Sequence, residues 1–157
     1  MKQHTACGTG HRQISKMLIP RLTQKLDETI ALLVAQGITV FVNGGAVGFD
    51  QLMAAAILRR RETIHDVKLI IYQPCRDQDA RWKQEDQLNY RRLLSAADRV
   101  VCLSEHYFDG VMAARNRALV EASSVCVAYM THGRSGAGQT VRLAREQGLT
   151  VINLAEE

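Results

Sequence analysis

Three glycine-bearing turns carry the residue types that could bind an anion. They are Thr9-Gly10-His11-Arg12, Gly44-Gly45-Ala46-Val47-Gly48-Phe49-Asp50 and Gly133-Arg134-Ser135-Gly136-Ala137-Gly138-Gln139-Thr140. Each turn follows an apolar run and leads towards a segment with helical character. A helix that begins after a strand presents unpaired backbone N–H groups and the positive end of its dipole, and glycine lets an anion approach them. The turns therefore predict a site for a phosphorylated, nucleotide-like small molecule.

Polar side chains in the first two turns suit such a ligand. His11 titrates near neutral pH, and Arg12 can hold a phosphate through two N–H groups. Asp50 stands at the start of a predicted helix, where it either caps the helix or also accepts a hydrogen bond from a ribose hydroxyl. The glycine spacing of the second turn, G-G-x-x-G, is close to a dinucleotide fingerprint without matching it. None of these features identifies the site alone.

Arg115 lies within the apolar stripe of a predicted helix. The stripe consists of Val111, Ala114, Ala118, Leu119 and Ala122. Burying a guanidinium without a partner is costly, so Arg115 either pairs with a core carboxylate such as Asp98 or reaches into a crevice at the sheet edge. We favour the crevice. Its neighbour Asn116 offers the same crevice both a donor and an acceptor.

Two aromatic side chains have two interpretations each. Trp82 begins a predicted helix, and Tyr107 lies in the loop after the fourth predicted strand. Aromatic residues at such positions are usually part of the core, but either ring could form a stacking wall for a base.

The scaffold that must position these residues is predicted by alternating apolar runs and helical segments. Six runs have the length of buried strands: His4–Thr9, Ile38–Val42, Val67–Tyr72, Arg99–Leu103, Val125–Met130 and Thr150–Asn153. Five segments between them are predicted helices: Pro20–Gln36, Phe49–Glu62, Asp79–Ala97, Gly110–Ser123 and Gln139–Gln147. This rhythm predicts a parallel α/β sheet. Right-handed crossovers would bring the strand-to-helix turns to one edge of that sheet.

The composition fits one soluble domain. The chain has 157 residues, 46% hydrophobic and 23% charged, and we expect a single domain over residues 1–157. No apolar run approaches the roughly 20 residues of a membrane span, and the first residues lack the apolar stretch of a signal peptide. The four cysteines form no close pair, so we expect reduced thiols in a cytoplasmic protein without membrane contact. The net charge of +4 permits an anionic ligand without requiring one.

Several common chemistries lack their motifs. The five histidines show no metal-ligand spacing and no carboxylate-rich partner segment, so we expect no metal and no cofactor. Neither the G-x-S-x-G elbow of serine hydrolases nor the P-loop of nucleoside triphosphatases is present.

Taken in order, these segments resemble a known family. They are Thr9-Gly10-His11-Arg12, Gly44-Gly45 to Gly48 with Asp50, Trp82 and Tyr90, Ala97-Asp98, Tyr107, Arg115-Asn116 and the glycine turn ending in Thr140. The set is similar to the YpsA/YspA-like group of the SLOG superfamily, named for the Smf DNA-processing proteins and the LOG phosphoribohydrolases. The resemblance spans nearly the whole chain. It implies a Rossmann-like, doubly wound α/β fold, with a mainly parallel sheet of about six strands and helices on both faces.

Residues and resemblance together give the ligand-binding candidates: Gly10, His11, Arg12, Gly44, Gly45, Gly48, Asp50, Arg115, Asn116, Ser135, Gly136, Gly138 and Thr140. One departure from the family pattern concerns catalysis. LOG-type hydrolases carry a P-G-G-x-G-T-x-x-E turn whose glutamate serves N-glycosidic cleavage. Aligned on Thr140, this chain has Leu143 at the glutamate, and leucine can neither donate nor accept a proton. Asp50 or a carboxylate from another loop could substitute for it.

Three functions follow, in order of preference. The first is a binding or sensor module for a nucleotide-derived phosphorylated ligand. The second is a LOG-like phosphoribohydrolase that cleaves nucleoside monophosphates, against which Leu143 counts. The third is single-stranded nucleic-acid binding, ranked last because aromatic residues make up only 5% of the chain. The superfamily also suggests a homodimer.

Overall fold

A computed structural model of the chain describes residues 1–156, in which strands and helices alternate after a short 3-10 turn at Lys2–His4. The strands are β1 (Thr5–Gly10), β2 (Val40–Asn43), β3 (Lys68–Gln73), β4 (Arg99–Cys102), β5 (Val125–Tyr129) and β6 (Thr150–Asn153). The helices are α1 (Ile19–Ala35), α2 (Phe49–Thr63), α3 (Gln84–Ala96), α4 (Val111–Glu121) and α5 (Gly136–Glu146). Among the described residues, no helix combines the length and the apolar character needed to cross a membrane.

The six strands form one parallel sheet in the order β4-β3-β2-β1-β5-β6. From β1 to β4 the chain moves steadily towards one edge, and α4 then carries it back across the sheet to β5, beside β1. The direction of strand order therefore reverses between β1 and β5. In open α/β sheets such a reversal leaves a crevice beyond the carboxyl ends of the strands, where ligands bind.

Apolar side chains cover both faces of the sheet. On one face α1, α2 and α3 pack with Leu26, Phe49 and Met53, and on the other α4 and α5 pack with Leu119 and Val141. The central strands β1 and β2 are buried along almost their whole length, as their continuous apolar runs predict. The expectation of a Rossmann-like, doubly wound α/β fold with helices on both faces is confirmed.

Two helix starts differ from the prediction, while the other element ends agree within two residues. Helix α3 begins at Gln84 rather than Asp79, because residues 79–83 form a turn. Helix α5 begins at Gly136 rather than Gln139, because the Ser135 side chain caps it: the amide of Gly138 donates to Ser135 Oγ over 3.0 Å.

Candidate functional site

A cavity of about 260 Å³ opens beyond the carboxyl end of β1, at the point where the strand order reverses. We call it the first cavity. The chain segments that wall it are Gly8–Arg12 of β1 and its loop, Ala46 and Asp50 around the start of α2, Met112, Ala113, Arg115, Asn116 and Leu119 of α4, and Ser135, Gly136, Ala137 and Gln139 at the start of α5. Segments far apart in sequence therefore meet at one place.

Eight of the predicted site residues line the first cavity: Gly10, His11, Arg12, Asp50, Arg115, Asn116, Ser135 and Gly136. Five others do not line it: Gly44, Gly45, Gly48, Gly138 and Thr140. Each of the five lies next to a lining residue in the chain or contacts one. Thr140, for example, is buried within α5, where its hydroxyl donates to the carbonyl oxygen of Gly136 over 3.0 Å.

Two of the supporting glycines allow close approaches that a side chain would block. A Cβ atom on Gly44 would overlap the guanidinium of Arg115. Gly48 has a φ of +93°, and a Cβ there would overlap the carbonyl oxygen of Arg12. These glycines therefore leave room for the guanidinium of Arg115 and for the backbone of Arg12 without lining the cavity themselves.

The helix starts that reach the first cavity belong to α2, α4 and α5, and Asp50 lies in the first turn of α2. Met112 and Ala113 lie in the first turn of α4, and Gly136 and Ala137 open α5. Strand β1 is instead followed by a loop over residues 11–18 before α1 begins at Ile19. The first of the three turns therefore contributes the side chains of its loop rather than helix N–H groups.

Arg115 is buried in the stripe of α4 that faces the sheet, with 5% of its surface exposed. Its Nε donates to Asn116 Oδ1 over 3.0 Å, while Nη1 makes only long contacts of 3.5 Å to the carbonyl oxygens of Gly44 and Tyr72. None of the ion pairs among residues 1–156 includes Arg115. Burial lowers the pKa of Arg115, and the nearby charge of Asp50 raises it in part.

The alternative that Arg115 pairs with Asp98 is wrong. Asp98 directly precedes β4 and so lies at the amino ends of the strands, whereas Arg115 lies at their carboxyl ends. Asp98 accepts instead from Arg61 Nη1 and from the amide of Leu69, both over 2.8 Å. The predicted stripe was also partly wrong, since Ala114 is exposed.

Asp50 lies beside Arg115 in the wall of the cavity and is 7% exposed. It is not the cap of α2, because Gly48 holds that position and Asp50 Oδ2 accepts from the loop amide of Ala46 over 3.3 Å. Burial raises the pKa of Asp50 to about 6, although the charges of Arg115 and Arg12 act to lower it. A carboxyl group with such a pKa can accept a hydrogen bond from a hydroxyl or exchange a proton near neutral pH.

His11 connects the loops after β1 and β5. Its Nε2 accepts from the amide of Thr131 over 2.9 Å, so the proton of the neutral ring is on Nδ1. The ring stacks on His132 with centroids 4.6 Å apart. Burial and the charge of His132 lower the pKa of His11, so the cationic groups of the cavity at neutral pH are Arg12 and Arg115.

A second cavity of about 620 Å³ adjoins the first and shares Arg12 and Met112 with it. We call it the second cavity. Its other lining residues are Pro74, Cys75, Asp77, Gln78, Ala80, Arg81, Trp82 and Tyr107. Trp82 lies in the turn before α3 and packs edge-on against the buried Tyr90, with ring centroids 5.0 Å apart. It therefore both packs on the core and lines a cavity, while Tyr107 is 62% exposed.

Several residues that line the first cavity are not among the predicted site residues. They are Gly8, Thr9, Ala46, Met112, Ala113, Leu119, Ala137 and Gln139. Met112 could have been found, because it lies three residues before Arg115 and so on the same side of α4. Within residues 1–156, no group of three or more His, Cys, Asp or Glu side chains is placed to hold a metal ion.

Comparisons with known proteins agree with this architecture. The SPbeta prophage-derived protein YoqJ of Bacillus subtilis is 25% identical over 118 residues, which cover 68% of this chain and 69% of that protein. A UPF0398 protein of Halalkalibacterium halodurans is 23% identical over 107 residues, covering 67% of this chain and 57% of that protein.

Among solved structures, DNA processing protein A from Helicobacter pylori has a TM-score of 0.65 and 20% sequence identity, over 96% of this chain and 64% of that one. At this identity the similarity shows the fold alone. The chain thus spans less than two thirds of the length of the Halalkalibacterium and Helicobacter proteins. A sequence profile described as the YspA SLOG family matches residues 10–145, which is most of the chain. The chain belongs to the YspA SLOG family.

Proposed function

We propose that this chain binds a nucleotide-derived, phosphorylated small molecule as a binding or sensor module, with the phosphate in the first cavity. The observation that carries the proposal is Arg115. Its guanidinium is buried in the cavity wall, and among residues 1–156 it has no carboxylate partner. A buried cation that forms no salt bridge is costly, and a bound phosphate would supply that salt bridge.

The other cavity groups fit the same ligand. Arg12 adds a second guanidinium, and its side chain is exposed at the cavity wall. The first amides of α5, at Gly136 and Ala137, occupy helix positions that have no intrahelical acceptor. Asp50 supplies an acceptor for a sugar hydroxyl. Two cations, a helix N-terminus and one carboxylate suit a phosphorylated ribose better than a plain anion.

Calorimetry and thermal shift against a nucleotide library, including NAD and ADP-ribose, test this proposal. Arg115→Met should weaken binding roughly 10- to 100-fold, as expected for the loss of one charge-assisted contact. Arg61→Met is the matched control, because Arg61 pairs with Asp98 away from the first cavity, and it should leave affinity unchanged. The proposal is wrong if no nucleotide raises the melting temperature of the wild-type protein.

A phosphoribohydrolase remains the second candidate, favoured by Asp50. Leu143 packs against the hydrophobic core beneath α5 and does not line the first cavity, so it supplies no catalysis. Asp50 is the carboxylate that lines the cavity, and its pKa of about 6 suits proton transfer near neutral pH. Release of free base from a nucleoside monophosphate, detected by chromatography and abolished in Asp50→Asn, would establish this activity.

Single-stranded DNA binding is the third candidate. The Helicobacter pylori protein with the same fold is described as binding single-stranded DNA. Tyr107 is exposed and lines the second cavity together with Arg81, and exposed aromatic and cationic side chains are what single strands stack and pair with. A gel shift with a labelled oligonucleotide that weakens steeply with salt would support this function.

A further inference from the structure

We propose that the second cavity binds the nucleobase of the same ligand, with the indole of Trp82 as its stacking surface. This inference rests on the proposed function, because it assigns the two parts of one nucleotide to two adjoining cavities. The phosphate lies in the first cavity, and the base lies among the residues that follow β3.

The two cavities are continuous. Arg12 and Met112 line both cavities, so a ligand held by Arg12 in the first cavity is already at the wall of the second. The sizes agree with this arrangement. The first cavity, at about 260 Å³, is below the roughly 300–1,000 Å³ of common small-molecule sites, whereas the second, at about 620 Å³, falls within that range. The first cavity alone suits a phosphate and part of a sugar, and a whole nucleotide needs both.

Trp82 is held in place before any ligand binds. Its ring packs edge-on against Tyr90, which is fully buried. The hydroxyl of Tyr90 accepts from Gln73 Nε2 and from Gln78 Nε2, both over 2.9 Å. The amide of Trp82 donates to the carbonyl oxygen of Asp79 over 3.0 Å, which closes the turn. A ring fixed in this way loses little conformational entropy when a base stacks on it.

The lining of the second cavity combines apolar surface with polar and charged groups. Pro74, Ala80 and Met112 add apolar surface to the rings of Trp82 and Tyr107. The polar and charged groups are Arg12, Arg81, Asp77 and Gln78. Flat aromatic rings with polar edges are what such a mixed lining accommodates, since the faces stack and the edges meet hydrogen-bonding groups. The base of a nucleotide meets this description, and the phosphate of the same nucleotide explains the neighbouring cations.

The fluorescence of Trp82 gives a direct test, because it is the only tryptophan of the chain. We would titrate the protein with AMP, GMP, CMP and UMP, and with ribose 5-phosphate, which carries the sugar and phosphate without a base. At least one nucleotide should change the emission saturably and bind roughly 10-fold or more tightly than ribose 5-phosphate. Ribose 5-phosphate should bind, by calorimetry, without changing the emission.

Variants separate the base from the phosphate. Trp82→Leu should weaken nucleotide binding roughly 10-fold and leave ribose 5-phosphate unchanged, while Trp82→Phe should retain most of the affinity. Tyr107→Ala keeps the inference testable if Trp82→Leu does not fold, because Tyr107 is 62% exposed, and it should also weaken nucleotide binding. Phe108→Ala is its matched control, since Phe108 is 52% exposed but does not line the second cavity.

The failures of the two proposals are distinguishable. If nucleotides and ribose 5-phosphate bind equally and no aromatic variant matters, the base site is wrong and the phosphate site stands. If no nucleotide of any kind, NAD and ADP-ribose included, and no sugar phosphate binds, both proposals are wrong. If a single-stranded oligonucleotide changes the emission of Trp82 and no mononucleotide does, the second cavity belongs to a nucleic-acid surface and the inference is overturned.

Discussion

At the scale of single residues, the first cavity is defined by two opposite charges that do not form an ion pair. Asp50 and Arg115 are both buried in its wall, yet none of the ion pairs among the described residues joins them. A protein selected for stability alone would pair these groups or replace them with apolar residues. Their arrangement keeps both side chains available to a ligand at a cost in stability.

This cost predicts a distinctive pH dependence. Burial raises the pKa of Asp50 from its usual 3.8 to about 6, so the folded state holds a proton that the unfolded state releases. The ionised carboxylate therefore destabilises the fold as pH rises from about 4 to about 6, by roughly 3 kcal/mol at most. Asp50→Asn removes this effect and retains an acceptor for the amide of Ala46.

Urea unfolding of both proteins at pH 4.5 and pH 7.5 would measure the effect. The variant should gain stability over the wild type at the higher pH, and the difference should shrink at the lower pH. A difference between the two proteins that does not change with pH would contradict a raised pKa for Asp50.

The residues of the site were predicted in part, and the limit has a physical cause. Helical periodicity placed Arg115 on a buried face, but it could not say which end of the sheet that face would meet. The candidate partner Asp98 proved to lie at the opposite edge. Residues such as Met112 were missed because part of the cavity wall is apolar, and an apolar side chain has no reactive or charged group that would mark it as a site residue.

At the scale of elements, the start of α5 depends on its cap. Ser135→Ala removes the acceptor for the amide of Gly138 and should lower the free energy of unfolding by about 1 kcal/mol. Urea unfolding would detect this change. Ser124→Ala is a suitable control, because the hydroxyl of Ser124 makes only contacts of 3.4 Å and its loss should matter much less. Equal effects of the two substitutions would contradict the importance of the cap.

The start of α2 depends on Gly48. Gly48→Ala places a side chain at a φ of +93° and against the carbonyl oxygen of Arg12, so it should cost at least roughly 2 kcal/mol of folding free energy. Gly136→Ala provides the comparison, since among the described residues nothing lies within 4 Å of a Cβ there. Chemical denaturation of both variants would show a large loss only at position 48. A tolerated alanine at that position would mean that the loop relaxes.

Element positions followed from apolar periodicity wherever the strands are covered on both faces, as in β1 and β2. The predicted helix starts were wrong where polar turns lead into the helices α3 and α5. Asp79 was predicted to begin α3, but residues 79–83 form a turn and the helix begins at Gln84. The predicted start of α5 was three residues late, because the Ser135 cap lets the helix begin at Gly136.

At the scale of the whole molecule, alternating runs and helical segments predicted the parallel sheet, but not the order of its strands. That order depends on α4 carrying the chain back across the sheet from β4 to β5. The local composition of α4 does not show that the next strand will pair with β1, because that pairing is determined by how α4 packs against the second face of the sheet. The order of the strands, and with it the switch point between β1 and β5, was not predicted from the sequence.

The chain should unfold as one unit. The two hydrophobic clusters lie on opposite faces of the same six strands, so neither can persist once the sheet opens. Urea transitions followed by Trp82 fluorescence and by far-ultraviolet circular dichroism should therefore coincide. Two separate transitions would contradict the single domain expected over residues 1–157. The homodimer also stays a prediction, which light scattering would test against the 17.5 kDa of one chain.

The contact between Gly44 and Arg115 ties together two positions that are 71 residues apart. A methyl group at position 44 would displace the guanidinium from its position in the cavity wall. The two positions should therefore covary, so that relatives with a bulkier residue at 44 lack the arginine at 115. Gly44 would then govern what the protein recognises while never touching it, and a screen confined to contacting residues would overlook it.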